Sequence, residues 1–375
     1  MKLLMISEED LSKKIGVGKK IFGQAKAFSA LGFETSLLFV SEERLWLWHI
    51  GKEKKEIGSI RGNLDILFSF YQKCWEEAKN LKPDAVYIRA PFTEFFYLRF
   101  LRKLKKLQVK VVVEYPTFPY DHEYQSKTIF KRAALLVDRF FRSSLQQYVD
   151  LTVTYTDRND ILHIPTVKIE NGIDLEDVPI RQVEDSNNMV LIGVANLSIW
   201  HGYDRVIEGM RIHYQREKNP KKIFFEIIGE GPQLSSLKGL ADKYRLGDYV
   251  KFHSNITGHA LDEIFNRAHI GVGSLGMHRI NLTEGAPLKA REYCARGLPF
   301  MIAYYDNDFT GKSKHVLNIV PDENPVDMNF MLDFFATSMG KDVPMQMRDF
   351  AEKNISWENK LMPVKKALAE IKNRS

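Results

Sequence analysis

The feature that most constrains this chain is an alternation that runs through it twice. Residues 2–7, 34–40, 84–89, 110–115 and 151–156 are short, nearly all-apolar runs of strand length, with helical patterns of apolar residues between them. Strands that are apolar throughout are buried on both faces, and helices between them make a parallel sheet covered on both sides. Residues 176–188 are then polar and unperiodic and read as a linker. The alternation restarts beyond it, with strands at 189–195, 223–229, 249–253, 269–274 and 299–304 and helices between. At 375 residues the chain is too long for a typical single core. The expected fold is α/β, with two parallel-sheet domains in series, whose ligands bind beyond the carboxyl ends of the strands.

Chemistry concentrates in one stretch, NLTEGAPLKAREYCARGLPFMIAYY, from Asn281 to Tyr305. Pro287 is a favoured first residue of a helix, so Glu284 falls in the loop ahead of it and Glu292 about a turn and a half inside. A phosphorylated ligand at such a helix tip would meet unpaired backbone N–H groups, Lys289 and hydroxyl-seeking carboxylates together. Taken alone, the same stretch also reads as a surface helix with solvated charges. Gly229-Glu230-Gly231-Pro232 is first of all a strand-to-helix turn, and it falls at the same end of the sheet.

Charge is uneven. Residues 1–175 hold 28 of the 54 Lys and Arg and 22 of the 48 Asp and Glu, so the remaining 26 and 26 cancel and the net +6 lies in the first half. That half expects an anionic partner, a membrane face or a phosphorylated acceptor, and nucleic acid is not among the expected partners. Two helical stretches there are basic and aromatic, 95–107 (FFYLRFLRKLKKL) and 127–145. Each reads either as a core-facing helix with a basic solvated side or as a helix lying on an anionic membrane. No window has the run of apolar residues a membrane span needs. The acidic turn of MKLLMISEEDL reads as a first strand and not a signal peptide. Cys74 and Cys294 form neither a disulfide framework nor a metal spacing. The expected location is cytoplasmic, at most peripheral on the inner face of the membrane.

Five motifs, in order, resemble the family 4 retaining glycosyltransferases. They are the helix closing in Ala-Leu-Gly-Phe-Glu-Thr before the second strand, Asn171-Gly172-Ile173-Asp174, Gly229-x-Gly231-Pro232, Glu284-x7-Glu292 followed by Ala295-Arg-Gly-Leu-Pro299, and Ile355-Ser356-Trp357. The resemblance runs nearly end to end. It implies the GT-B architecture, two Rossmann-like domains facing across a cleft. An acceptor-binding domain would occupy 1–178 and a donor-binding domain 185–355, with a last helix at about 356–375 crossing back to the first. It also implies a nucleotide-diphosphate-sugar donor, UDP- or GDP-linked, and a glycan or lipid-linked acceptor. Transfer would proceed with retention and without a metal or other cofactor.

Position by position, Glu284 would contact the transferred sugar or its phosphate and Glu292 the ribose hydroxyls, as a carboxylate that accepts from a diol can. Leu288, Asn196, His201 and Gly231 would complete the donor site. The family's diphosphate-binding arginine and lysine are absent; Asn196 and His201 stand where those cations belong. Lys289, Arg205 and Arg279 are the candidates to replace them. The N-terminal histidine of the family is also absent from the loop after 110–114. Asp121, His122 and Glu123 stand in that loop instead, either to orient sugar or acceptor or as a Pro-stiffened turn. Two other functions stay open: a hydrolase pairing Asp121 with Glu284, and a non-catalytic membrane-surface scaffold of the same fold.

Overall fold

The computed structural model describes residues 1–13, 15–121, 128–182, 186–216 and 218–373. They form two compact units. The first is Met1–Asp174 with Trp357–Ser375 and the second is Leu175–Ser356.

In the first unit, β1 (Lys2–Asp10), α1 (Ile15–Ala30), β2 (Glu34–Ser41), β3 (Arg44–His49) and β4 (Lys54–Ser59) are followed by α2 (Tyr71–Leu81) and β5 (Ala85–Arg89). Then come α3 (Phe95–Lys106), β6 (Lys110–Tyr115), α4 (Ile129–Phe141), β7 (Leu151–Thr154), β8 (Asp160–Ile161) and β9 (Ile164–Lys168). The strands make one nine-stranded sheet in the order β4-β3-β2-β1-β5-β6-β7-β9-β8. It is parallel from β2 to β9, and antiparallel β3–β4 and β8 close its two edges. The period-2 alternation of a strand sorts its residues into two cores. Leu4, Ile6, Val86, Ile88, Val111 and Val113 face one. Leu3, Met5, Ala85, Tyr87 and Val112 face the other.

The second unit runs β10 (Met189–Val194), α5 (Tyr203–Arg216), β11 (Ile223–Ile228), α6 (Leu234–Lys243), β12 (Val250–His253) and α7 (His259–Arg267). It continues through β13 (Ile270–Val272), α8 (Leu288–Ala295), β14 (Phe300–Ile302), β15 (Val316–Asn318), α9 (Met328–Ser338) and α10 (Val343–Asn354). All six strands are parallel, ordered β12-β11-β10-β13-β14-β15. That is the doubly wound order, and its crevice opens where the order reverses, between β10 and β13.

The chain returns to the first unit through α11 (Trp357–Asn373), whose Trp357, Leu361, Val364 and Leu368 join the core that α1 covers. Trp357 can seat there because two neighbours are glycine. A Cβ on Gly23 would stand 2.6 Å from its ring and one on Gly172 2.8 Å. The Asn171-Gly172 motif and the Ser356-Trp357 motif are thus two sides of one contact.

Candidate functional site

Three loops meet at the crevice of the second unit. The loop after β10 carries Asn196 and His201, the loop after β11 carries Gly231, and the loop after β13 leads to Glu284 and α8. Leu197 N donates to Glu230 O (2.7 Å), Leu275 N to His201 O (2.9 Å) and Gly276 N to Trp200 O (3.1 Å). Gly231 has φ +148°, and a Cβ there would lie 2.4 Å from Leu197 O and 2.8 Å from Asn196 Oδ1. Only glycine lets these loops close. Beneath them the Tyr293 hydroxyl donates to Val272 O and accepts from Val194 N, both at 3.2 Å, bridging β10 and β13 where they diverge.

Glu284 is exposed and paired as an isolated bridge with Tyr305. Gly285 N donates to Tyr305 O and Tyr305 N to Thr283 O, which staples this loop to the end of β14. Pro287 is the N-cap of α8 and not its first residue, so the helix opens at Leu288. Lys289 follows in the first turn. Its amine lies 3.3 Å from the Tyr203 hydroxyl, and burial pushes its pKa down to about 7. Glu292 accepts from Arg296 at 3.0 Å. Arg291, one residue before it, is wholly buried in ion pairs with Asp306 and Asp308 that pin α8 to the loop after β14.

His201 is neutral. Burial, and after it the neighbouring Lys289 amine, pushes its pKa down to about 3. Its Nδ1 accepts from Ser198 N at 3.0 Å, so the ring proton is on Nε2. It can offer one N–H to a phosphate but no charge.

Two expected cations are committed elsewhere. Arg205 is 2% exposed and donates to Asn324 O, Leu275 O, Val320 O and Asp322 at 2.6–3.0 Å. It is an internal clamp on the loops at this end of the unit, with its charge facing Asp322. Arg279 binds Asp204 through both terminal nitrogens (2.9 and 2.8 Å) and also Glu323 and Ile199 O. Both differ from the expected phosphate contacts because each already holds carboxylate or carbonyl oxygens. Of the three candidates only the Lys289 amine has no anionic partner among the described residues. The same residues contain no group of three His, Cys, Asp or Glu able to hold a metal ion.

Residues 176–306 match the family model described as Glycosyl transferases group 1, a span that contains all three loops and α8. The match covers about a third of the chain and lies within the second unit. No curated protein matches its sequence. Among solved structures it is similar to sucrose-phosphate synthase from Thermosynechococcus elongatus (15% identity, all of both chains covered, TM-score 0.63). It is also similar to a glycosyltransferase from Rickettsia africae (13% identity, 100% and 99% covered, TM-score 0.65). HepE of Anabaena, in complex with UDP-glucose, is a third (13% identity, all of both chains covered, TM-score 0.61). These likenesses establish the fold, two parallel-sheet Rossmann-like domains of the GT-B type with the last helix packed on α1.

The first unit has its own cleft, of about 630 Å³, at the reversal point of its sheet between β1 and β5. Glu8, Glu9, Asp10 and Arg89 line one part of it and Phe92, Tyr115 and Tyr120 another. Carboxylates that accept hydroxyl hydrogens, beside aromatic faces that cover C–H surface, are a combination suited to a saccharide. Arg89 also lies 3.1 Å from Glu9 and 3.4 Å from Glu114. Glu114, at the end of β6, is buried with Lys20 (3.0 Å), Tyr87 (2.7 Å) and Tyr155 (3.0 Å) around it. Burial works against its charge, but Lys20 and Arg89 outweigh it and hold its pKa at about 2. Glu8–Asp10 belong to the end of β1, beyond the apolar run 2–7. The sequence signal for the cleft was present: acidic and basic residues at the carboxyl ends of β1 and β5.

The loop after β6 lines the cleft through Pro116, Thr117 and Tyr120, but Asp121 does not. Arg139 and Arg142 bind both its oxygens (2.8 and 3.0 Å). Partial burial raises its pKa, yet these two hydrogen bonds hold it below the ordinary carboxylate value. A hydrolytic general acid requires the reverse shift. His122, with Glu123, lies outside the described residues.

Proposed function

We propose that the chain transfers a hexose from a nucleotide-diphosphate sugar, with retention, to a lipid-linked or growing surface glycan. Its second unit holds the donor and its first unit the acceptor. The observation that carries this is Glu284-x7-Glu292 on the loop and helix at the sheet's reversal point, with the desolvated Lys289 amine between them. In this reading Glu284 meets the sugar, Glu292 the ribose diol and Lys289 the diphosphate. Leu288 N–H, Asn196, the His201 Nε2 proton and the backbone at Gly231 complete the contacts. UDP is the first base to try, since HepE was crystallised with UDP-glucose. A lone lysine with N–H groups supplies less charge than an arginine and lysine together, so leaving-group stabilisation rests on preorganised donors. The departing diphosphate takes the acceptor proton on the same face, so no protein base is required. The reading uses no divalent cation, and activity abolished by EDTA would remove that part of it.

The test is nucleotide release and sugar transfer from UDP- and GDP-sugars to lipid-linked acceptors. Glu284→Gln should lower kcat by about 10²–10³-fold, the size of losing one preorganised transition-state contact. Donor affinity should change little. Transfer that survives this substitution would overturn the site assignment. Donor binding with no transfer to any acceptor would favour a non-catalytic protein of the same fold.

A further inference from the structure

Of the two basic helices in the first unit, only α4 leaves an apolar face uncovered. In α3 Tyr97, Phe100, Leu101 and Leu104 are buried and Phe95, its first residue, is the one large apolar side chain mostly exposed (58%), so its lysines and arginines are its solvated side. In α4 the buried residues are Leu135 and Asp138. Ile129 (77% exposed), Phe130 (81%), Leu136 (64%), Val137 (44%) and Phe140 (78%) are not. At 3.6 residues per turn these five share a stripe roughly 120° wide, directly opposite the buried face. Single exposed apolar residues are ordinary; a continuous stripe of large ones marks a docking surface.

The charges say what docks. Arg132 and Arg139 flank the stripe on one edge, whereas Lys131 falls on the inner side with Asp138 and lines the cleft. The one acid of α4, Asp138, points inward, accepting from Thr93 N and the Tyr120 hydroxyl at 2.7 Å each. Arg139 is paired with Asp121, whereas Lys131 and Arg132 have no ion pair among the described residues. We propose that α4 lies flat on an anionic phospholipid bilayer, its apolar stripe below the headgroups and its cations at phosphate level. A second copy of the chain fits less well, because a two-fold contact would set basic rim against basic rim. The helix is about 20 Å long at 1.5 Å per residue, too short to span.

Docking there fixes the acceptor. Lys131 and Tyr120 both line the first unit's cleft, and Tyr120 is bonded to Asp138 of α4. A helix seated in the interface therefore holds the mouth of that cleft at headgroup level, where a saccharide carried by a lipid of the same leaflet presents itself. This last step rests on the proposed transferase reading; the docking itself does not.

The test is co-sedimentation of the full chain with vesicles of phosphatidylcholine alone or mixed with phosphatidylglycerol, at low and high salt. The wild type should partition onto the mixed vesicles and poorly onto the neutral ones. Phe130→Ser with Phe140→Ser should weaken partitioning by about a hundredfold, roughly tenfold for each buried phenylalanine. Arg132→Glu should weaken it by at least about fivefold at low salt. Lys103→Glu with Lys106→Glu on α3 should act only through general charge, and less than Arg132→Glu. Equal binding of the wild type and the double Phe variant would overturn the proposal. So would a concentration-dependent dimer that the Phe substitutions dissolve and that ignores vesicles. A thermal shift with nucleotide sugar, read in parallel, should be the same in the wild type and the double Phe variant. Its loss in the wild type would count against the transferase reading and leave the vesicle result standing.

Discussion

Lys289 is where one residue's environment makes the sharpest demand. Its amine is desolvated beside Tyr203, and its pKa falls from the ordinary lysine range to about 7. In the free protein the fold thus disfavours the charged form. Between pH 7 and about 10.4 the unfolded chain holds a proton that the fold has released, so the stability of the free protein rises with pH across that window. Donor binding has the opposite sign. A diphosphate seated on this amine restores its proton, so binding takes up a proton at pH 8. Affinity for the nucleotide sugar then falls about tenfold per pH unit above 7. Calorimetry at pH 8 in buffers of different ionisation enthalpy should show an uptake approaching one proton. Lys289→Met should abolish that uptake and weaken binding about tenfold or more. A pH-independent affinity in the wild type would remove Lys289 from the diphosphate site.

At the scale of elements, the parallel strands were legible because burial on both faces makes them apolar throughout. Residues 110–115 were placed exactly as β6, and most other strands came within three residues at either end. The hairpin of β3 and β4 was not legible. It sits at the edge of the sheet, and its second strand, KKEIGS, is largely exposed and has no apolar run to announce it. In the candidate site the glycines and carboxylates were legible because their spacing is local. The partners of Arg205 and Arg279 were not legible because they are distant in sequence: Arg205 reaches Asn324 and Asp322, and Arg279 reaches Asp204 and Glu323. The two faces of α4 were hidden for a related reason. Its inner side is defined by Asp138, whose donors Thr93 and Tyr120 belong to the segments before α3 and after β6. Asp138→Ala would leave the buried Thr93 amide without an acceptor, release the half-buried Tyr120 hydroxyl and cost about 1–3 kcal/mol. Urea unfolding should register the loss. Hydrogen exchange should speed up in 129–141 and 116–120 while the amides of the second unit keep their protection. Uniform loosening of the whole chain would show that Asp138 does not tie α4 to the cleft.

At the scale of the whole molecule, the second unit is inserted into the first. The first unit's core is completed only by α11, after 182 residues, 175–356, have been spent elsewhere. Trp357 is the first residue to return, 2% exposed, packed against Gly23 and Gly172, with its N–H donating to Ile173 O. Trp357→Ala should cost about 3–5 kcal/mol, the range for losing a buried large aromatic. At Gly172 a Cβ would still meet the Cα of residue 357, at 2.9 Å, after the ring is gone. The loss belongs to the first unit alone. Calorimetry should therefore show a first-unit transition moved down by several degrees and a second-unit transition unmoved, still raised by nucleotide sugar. If both transitions fall together, the return of the chain stabilises more than the sheet it rejoins, and the two units unfold as one.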